Sequence, residues 1–448
     1  MNVINRRTIL QGLATLAATI PVRAAAKSPR VPTGSIDAAR LQQSLEELSK
    51  FGRRAGGSFA DGVSRVAYSE ADVAGRAYAM ELMRNAGLNP LIDAAGNLTG
   101  IRPGIDPLLK PIVIGSHIDT VPGGGNFDGN LGSMAAIEVV QTLNDQHIRT
   151  RHPIEVAIWS NEEGYTMGSA AAIGDVRTPF ADPTSEKGIA AREALKRIGG
   201  DPDRLESARR APGSICCYLE LHIEQGGILD QAEIPIGVVD GIVGIDQYEV
   251  TIEGVANHAG TTPMRGRQDA LIAAAKMVEA VNEIARAEPG RHVATVGKLE
   301  VTPNAPNVIP GLVRHTVEIR DLSPEKVKKL GIAIAKRADQ IAVETATKIV
   351  MERYFHLEPA LADPALQAGI ESASVSLGLK SMHLPSGAGH DAQELAKIGP
   401  MAMIFVPSVN GVSHSPNELT RWSDCANGAN VLLRTLLEID RGPVRDFS

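Results

Sequence analysis

The 448-residue chain has little cysteine, few aromatic residues and no excess of positive charge. Its three cysteines, Cys216, Cys217 and Cys425, are too few for a disulfide framework or a four-thiolate zinc site, so any metal must be bound by histidine and carboxylate. Lys and Arg total 45 against 52 Asp and Glu, and the net charge of −7 argues against a nucleic-acid partner. Hydrophobic residues make up 43 % of the chain, which is ordinary globular composition and excludes bulk disorder.

The N-terminus has the features of an export signal. Arg6 and Arg7 precede an uncharged, mildly apolar run through Ile20, and small residues follow up to Ala26. This order predicts a twin-arginine signal peptide over residues 1–26 and a periplasmic location, the alternative being a cytosolic N-terminus with a chance arginine pair. The run falls short of the roughly 20 strongly apolar residues that span a bilayer, and no later segment resembles a span. We therefore expect no membrane partner for the mature protein.

Alternating helix and strand patterns predict an α/β catalytic domain. Residues 66–86 have helical spacing of apolar residues, and the short β-branched runs Pro111–Gly115 and Ile154–Trp159 are typical of strands buried on both faces. Both runs end in polar residues, which is where open α/β sheets bind ligands. The catalytic domain is predicted to have two parts, residues 35–240 and 354–440.

Residues 241–353 have the pattern of a separate, inserted domain. The predicted order βαββαβ is the split-βαβ arrangement of ferredoxin-like domains. The predicted strands are 247–253, 293–301, 313–320 and 348–352, and the predicted helices are 269–285 and 324–345.

The first predicted strand end carries a candidate metal ligand. A neutral imidazole at His117 can bind a divalent metal, and Asp119, which points to the same side of an extended segment, can orient it. Asp128 follows in the glycine-rich loop Gly123–Gly129. A phosphate-binding loop is the alternative for these glycines, but neither a Gly-Lys-Ser/Thr ending nor a dinucleotide fingerprint is present.

Two adjacent carboxylates and two further histidines are also candidates. Glu162 and Glu163 follow the next strand, where one can bind a metal and the other can accept a proton from water, unless the pair only forms a solvated face. His222 lies in Leu-His-Ile-Glu-Gln-Gly and His414 in His-Ser-Pro-Asn-Glu. A core histidine satisfied by hydrogen bonds is the alternative for His222. Mixed imidazole and carboxylate ligands favour Zn²⁺, Mn²⁺, Ni²⁺ or Co²⁺ over Mg²⁺.

One candidate catalytic residue lies in the inserted domain. Hydrolysis of an acyl bond needs a donor for the tetrahedral oxyanion, and His258 of Asn-His-Ala-Gly-Thr-Thr-Pro-Met is the candidate. In that role it requires the inserted domain, or that of a partner subunit, to close over the metals. The alternative is that His258 caps or fills a turn beside Thr261 and Pro263.

Together with Gly-Ser-His-Ile-Asp-Thr-Val-Pro, Phe-Asp-Gly, Asn-Glu-Glu-Gly and Asn-Val-Ile-Pro-Gly, these motifs resemble those of the zinc-peptidase-like amidohydrolases. That family includes N-carbamoyl-L-amino-acid hydrolase, allantoate amidohydrolase and a β-ureidopropionase branch. The resemblance implies a mixed-sheet α/β catalytic domain with an inserted ferredoxin-like domain that acts as lid and dimerisation domain, and a homodimer built on it. It also implies hydrolysis of the carbamoyl or ureido C–N bond of a small N-carbamoyl-L-amino acid or a related ureido acid such as allantoate.

The resemblance further implies two divalent ions per subunit, Zn, Mn, Co or Ni. The implied ligands are His117 and His222 on one ion, Glu163 and His414 on the other, and Asp128 between them. Glu162 is then the general base and Asp119 supports His117. In related aminopeptidases a carboxylate tends to stand where His222 stands, which favours an amidohydrolase over a metallo-aminopeptidase or dipeptidase. Intact Glu162 and the intact ligand set argue against the third alternative, a non-catalytic binding protein.

The resemblance also implies contacts to the substrate. The implied residues are Gln225, His258, Asn307, Arg320 and Gly387. Arg320 matches the family's carboxylate-binding arginine, for which a planar guanidinium is suited. The alternative for Arg320 is a salt bridge to a neighbouring acid at the rim. His390 and Asp391 are interpreted as structural support.

Overall fold

The structure is a computed structural model that describes residues 34–164, 166–177 and 186–442. The predicted twin-arginine signal over residues 1–26 lies outside the described residues. Within the described ranges, no helix combines the length and the apolar character needed to cross a bilayer.

Helices and strands alternate along the first and last parts of the described chain. The first part comprises α1 (Ala38–Leu48), α2 (Glu70–Asn85), β1 (Leu91–Ile92), β2 (Leu98–Arg102), β3 (Ile112–His117), α3 (Asn130–Asp145), β4 (Ile154–Trp159), α4 (Met167–Ala172), α5 (Glu186–Arg197), β5 (Cys217–Ile223), α6 (Ile228–Ala232) and β6 (Ile236–Ile242). The middle part comprises β7 (Gly244–Glu253), β8 (Asn257–His258), α7 (Ala270–Ala287), β9 (Val293–Thr295), β10 (Leu299–Thr302), β11 (Val308–Ile309), β12 (Leu312–Asp321), α8 (Pro324–Thr345) and β13 (Lys348–Leu357). The last part comprises β14 (Ala360–Leu361), α9 (Pro364–Ser376), β15 (Ser381–Ser386), α10 (Asp391–Leu395), β16 (Met401–Val406) and α11 (Trp422–Arg441).

The first and last parts share one nine-stranded sheet. Its order is β1-β2-β4-β3-β5-β16-β6-β14, and β15 also pairs with β6. The central strands β4, β3, β5 and β16 run parallel, whereas β2 pairs with β4, and β6 with β16, in antiparallel fashion. The mixed sheet confirms the predicted α/β fold class.

The centre of this sheet is fully buried. Every residue of β3, β4, β5 and β16 is buried, and so is nearly all of α3. Such strands need cover on both faces, which explains why their sequences are continuous apolar runs. The bounds of β4 match the predicted run, but β3 continues through Ser116 and His117, because both residues stay in the parallel ladder with β4.

The middle part forms a second sheet of five strands. Its order is β10-β12-β7-β13, with β9 beside β12, and all its pairs are antiparallel. Side chains of this sheet, of α7 and of α8 form their own hydrophobic core, which includes Val250, Met277, Val317 and Ile334. A two-stranded ladder joins β8 to β11.

The order of elements in the middle part follows the predicted βαββαβ pattern, with differences. The predicted strand 293–301 is two strands, β9 and β10, and the ladder is interrupted around Gly297. β8 and β11 have two residues each, too short to give a period in the sequence. α8 has the predicted bounds because Ser323 caps its first turn by accepting the amide of Lys326, and Pro324 occupies the first helical position. The lid and dimerisation roles of this part stay predictions.

Candidate metal centre

The predicted metal ligands converge at one edge of the large sheet. His117 ends β3, Glu162 and Glu163 lie in the turn that follows β4, and His222 lies near the end of β5. β3 lies between β4 and β5 and is parallel to both, so the three strand ends meet at the same edge.

Asp128 lies at the centre of this group. Its Oδ1 atom is 3.1 Å from Nε2 of His222 and 3.7 Å from Nε2 of His117, and its Oδ2 atom is 3.2 Å from Nε2 of His414. His414 Nε2 is also 3.5 Å from Oε2 of Glu163. Two sets of ligand atoms therefore share Asp128, and within each set the atoms lie within 4.8 Å of one another. These are the two sets that the family resemblance implied.

The backbone aims the imidazoles of β3 and β5 at Asp128. Nδ1 of His117 is 3.0 Å from the carbonyl oxygen of Asp119, and Nδ1 of His222 is 2.9 Å from that of Ile223, so Nε2 of each ring faces the carboxylate. Gly129 has φ +65°, and a Cβ atom there would collide with the His117 ring. This position therefore requires glycine for both its backbone conformation and its space.

Asp119 contacts His117 mainly through its backbone. Its carbonyl, and not its carboxylate, is the nearer partner of His117, since the carboxylate oxygen is 3.7 Å from Nδ1. The carboxylate instead accepts the backbone N–H groups of Glu162 at 3.3 Å and Glu163 at 3.2 Å. Asp119 thus fixes the turn that carries both glutamates.

Burial shifts the pKa values of the carboxyl groups of the site. Burial, with the charges of Asp391 and Glu163, raises the pKa of Glu162 well above its usual value. Burial and the charge of Asp128 raise the pKa of Glu163 to about 8. In the described part of the chain, no Lys or Arg forms an ion pair with Asp119, Asp128, Glu162 or Glu163.

The imidazoles supply the positive charge beside Asp128. Burial opposes ionisation of Asp128, but hydrogen bonds from His222 and His414 outweigh it and hold its pKa well below the usual value. The same contacts raise the pKa of His222 and of His414 to about 9, although burial opposes both shifts. Burial lowers the pKa of His117 to about 4, so its ring is neutral and able to donate a lone pair. This set of imidazole and carboxylate atoms fits one or two divalent cations.

Glu418 is a residue of the site that sequence reasoning missed. Its buried Oε1 atom accepts the backbone N–H groups of Phe127 at 2.9 Å and Asp128 at 3.1 Å, and its Oε2 atom accepts the hydroxyl of Ser413 at 2.9 Å. Burial raises its pKa to about 7. The available signal was its place in His-Ser-Pro-Asn-Glu, a motif that already contained the candidate ligand His414.

A second buried cluster, formed by Glu220, Ser386 and His390, packs around His222. The rings of His222 and His390 are 4.5 Å apart in an edge-on arrangement, and Nε2 of His390 is 2.8 Å from the hydroxyl of Ser386. Glu220 accepts the hydroxyl of Ser116 at 2.7 Å and the N–H of Ala392 at 3.1 Å. Glu220, His222 and His390 could also hold a metal by geometry, but Glu220 already has two donors.

The implied substrate residues lie in three places. Gln225 joins the metal ligands, since its amide donates to Oδ2 of Asp128 at 2.8 Å. Asn307 and His258 lie together at the two-stranded ladder, where the N–H of Ala259 donates to the carbonyl of Asn307 at 3.0 Å. Arg320 donates to the carbonyl of Gly387 at 2.7 Å.

His258 and Arg320 adopt the arrangements that were the alternatives to their substrate-binding roles, a turn cap and a salt bridge. His258 is exposed, and its Nδ1 accepts the N–H groups of Gly260 at 3.0 Å and Thr261 at 3.2 Å, so it caps a turn. Among the described residues it makes no hydrogen bond or ion pair with a candidate metal ligand. Arg320 forms an ion pair with Glu318 at 2.7 Å. The oxyanion and carboxylate roles therefore stay predictions.

Comparisons with known proteins show which proteins the chain is similar to. A model of Peptidase family M20/M25/M40 matches residues 113–438. An N-carbamoyl-L-amino acid amidohydrolase of Geobacillus stearothermophilus is 42 % identical over 412 residues, covering 91 % of this chain and 100 % of that protein. An allantoate amidohydrolase of Bacillus subtilis is 32 % identical over 401 residues, covering 88 % of this chain and 96 % of that protein. The crystal structure of an amidase of the hydantoinase/carbamoylase family from Burkholderia multivorans is similar, with a TM-score of 0.83 and 36 % sequence identity. The similarity covers 92 % of this chain and 100 % of that one.

Proposed function

The chain belongs to Peptidase family M20/M25/M40, and within that family we propose that it is a dimetal amidohydrolase acting on N-carbamoyl-L-amino acids. The observation that carries the proposal is Asp128, whose two oxygens face two separate sets of imidazole and carboxylate ligands. A carboxylate between two such sets suits a pair of divalent ions. The full-length similarity to a carbamoylase supports the substrate class.

The ligands would be His117 and His222 on one ion, Glu163 and His414 on the other, with Asp128 between them. When bound, the ions polarise the carbamoyl carbonyl and lower the pKa of water. Glu162, whose Oε2 atom is 3.6 Å from Nε2 of the candidate ligand His117, would take the proton from the attacking water and deliver it to the leaving nitrogen. Asp119 holds the backbone of Glu162 in place for this transfer. Cleavage of the carbamoyl group gives the free amino acid, carbon dioxide and ammonia.

The middle part of the chain, together with Gln225 between β5 and α6, supplies the remaining groups in this proposal. Arg320 binds the carboxylate of the substrate, and Gln225 and Asn307 contact its polar groups. His258 donates to the oxyanion once the second sheet closes over the metals, or once a partner subunit supplies it. The exposed position of His258 supports a requirement for such a movement or for a homodimer.

The substrate class is tested by hydrolysis of a panel by the full-length protein loaded with Mn²⁺ or Zn²⁺. The panel contains N-carbamoyl-L-amino acids, allantoate and dipeptides, and ammonia and free amino acid are measured separately. We expect both products in equal amounts from the carbamoyl compounds. Allantoate is the second candidate because of the similarity to an allantoate amidohydrolase. Cleavage of dipeptides alone would overturn the proposal.

The dimer is tested by mixing two inactive variants, Glu162→Gln and His258→Ala. If the partner supplies His258, a mixed dimer has one site with both groups intact, and about a quarter of the sites in a random mixture regain activity. Recovery supports assembly through the inserted domain. An inactive mixture with a dimeric mass means that each subunit uses its own His258.

A further inference from the structure

The open face of the second sheet carries a charged group beside Arg320. Residues of β12 alternate between the two faces, so Val317 and Ile319 enter the core beneath the helices while Glu318 and Arg320 share the other face. Gln247 of β7 is the direct cross-strand partner of Glu318. The three polar side chains therefore form one row, which we call the Glu318 row.

Hydrogen bonds order the Glu318 row from one end to the other. Gln247 donates from Nε2 to Oε2 of Glu318 at 2.6 Å, and Arg320 donates from Nε to Oε1 of Glu318 at 2.7 Å. Nη1 of Arg320 donates to the carbonyl of Gly387, in the loop after β15, at 2.7 Å. The guanidinium is thus held on one side by Glu318 of the second sheet and on the other by the loop after β15.

These contacts leave one edge of the guanidinium open. Arginine has five N–H donors, one on Nε and two on each terminal nitrogen. Glu318 takes the Nε donor and Gly387 takes one donor of Nη1. Within the described ranges Nη2 has no hydrogen-bond partner, so the Nη1 and Nη2 end remains for a planar, two-oxygen anion.

We propose that Glu318, braced by Gln247, is a positioning residue that orients Arg320 so that its Nη1/Nη2 end receives the substrate carboxylate. The inference rests on the proposed function, in which Arg320 binds that carboxylate. A free arginine side chain loses much rotamer entropy when it binds a ligand, and a guanidinium already fixed by Glu318 loses less.

The charge of Glu318 opposes this gain. Partial burial disfavours its ionised form, but the donors from Arg320 and Gln247 outweigh burial and leave its pKa below the usual value, so it is ionised at neutral pH. An ionised carboxylate beside Arg320 weakens the attraction for an anionic substrate. Loss of orientation should weaken substrate binding when Glu318 is removed, whereas loss of its negative charge should strengthen it. The two effects can therefore be distinguished by the sign of the change in KM.

The test compares Glu318→Ala with Glu318→Gln in the metal-loaded full-length enzyme, using an N-carbamoyl-L-amino acid. If Glu318 positions Arg320, Glu318→Ala raises KM about tenfold with kcat nearly unchanged, because ground-state and transition-state binding fall together. Glu318→Gln restores KM to within about threefold of the wild type, because its amide oxygen still accepts from Nε and Gln247 can turn its own amide oxygen toward the new NH₂ group. Glu318→Ala has no further effect in an Arg320→Ala background.

The matched control is Glu300→Ala. Glu300 forms an exposed ion pair with Lys298 at 2.9 Å, also between residues two apart in the sequence of this part of the chain. The Glu300→Ala substitution should leave KM and kcat unchanged. An N-carbamoyl amine without a carboxylate should respond to neither Glu318 variant.

Several results would overturn the inference. An unchanged or lowered KM in Glu318→Ala shows that charge outweighs orientation, and equal losses in Glu318→Ala and Glu318→Gln show that the side chain does not act through its acceptor oxygen. A loss that is the same for the carboxyl-less amine shows a general structural role. If the wild type hydrolyses neither carbamoyl amino acids nor allantoate, the proposed function fails first and the positioning role falls with it.

Discussion

Removal of the divalent ions should make the stability of the protein fall as the pH rises from 6.5 to 8. In the metal-free fold the pKa of Glu163 is raised to about 8, first by burial and then by the charge of Asp128. The pKa of His222 and of His414 is raised to about 9 by their contacts with Asp128, which outweigh burial. In the unfolded chain a glutamate is deprotonated above about 4.5 and a histidine above about 6.5. Between pH 6.5 and 8 the folded state therefore binds more protons than the unfolded state.

The sign of the effect follows from these raised values. A group whose pKa is higher in the folded state contributes stability below its unfolded pKa and loses that contribution as the pH rises through its folded pKa. One extra proton corresponds to about 1.4 kcal/mol per pH unit. Because His414 is half exposed and is screened by solvent, we count only one proton for the three groups. The expected loss between pH 6.5 and 8 is then about 2 kcal/mol.

The measurement is urea unfolding of chelator-treated protein at both pH values, followed by circular dichroism, beside protein reloaded with Mn²⁺. Metal binding requires deprotonated ligands, so the loaded protein should hold or gain stability over the same range. Hydrogen bonds to carboxylates, against the effect of burial, raise the pKa values of His356 and His383. These two histidines affect both forms equally, so the difference between the forms isolates the site. A stability of the metal-free protein that is constant or rises with pH would refute the reasoning.

Three further predictions concern catalysis, metal content and export. Glu162→Gln should keep the bound metal, measured by elemental analysis, but lose about 10²–10⁴ in turnover, because only the proton carrier is removed; full activity would exclude it as the base. Asp128→Ala should lose both ions and His414→Ala only one, since only the first residue faces both ligand sets; an Asp128→Ala protein with full metal content would contradict the shared carboxylate. Replacing Arg6 and Arg7 with lysine should leave the protein in the cytoplasm while the wild type is recovered, shortened, from the periplasm; identical fractionation of the two would remove the export proposal.

The sequence alone located most of the individual parts. β4 and α8 could be predicted to the residue, because a short β-branched run between polar ends and a serine cap followed by proline are local signals. His117 and Glu162 could be predicted as site residues for a similar reason. They lie at the ends of buried strands, where parallel sheets bind ligands.

Only the tertiary structure decided how those parts act together. Strand order brings His117 and His222 within reach of Asp128. No local pattern encodes an order in which β3 lies between β4 and β5. Glu418 reaches the backbone of Asp128 across 290 positions of sequence, so its motif could mark it as a candidate but only the fold shows its partners.

The partners of Asp119 and Arg320 were likewise set by the fold. Their charge and their place near a strand end can be read from the sequence. Whether the Asp119 carboxylate meets His117 or the amides of the Glu162 turn depends on how two neighbouring strands leave the sheet. The periodicity of apolar residues predicts which residues are buried, because burial is a property of each position. Hydrogen-bond partners depend on differences of a few tenths of an ångström between segments that only packing brings together.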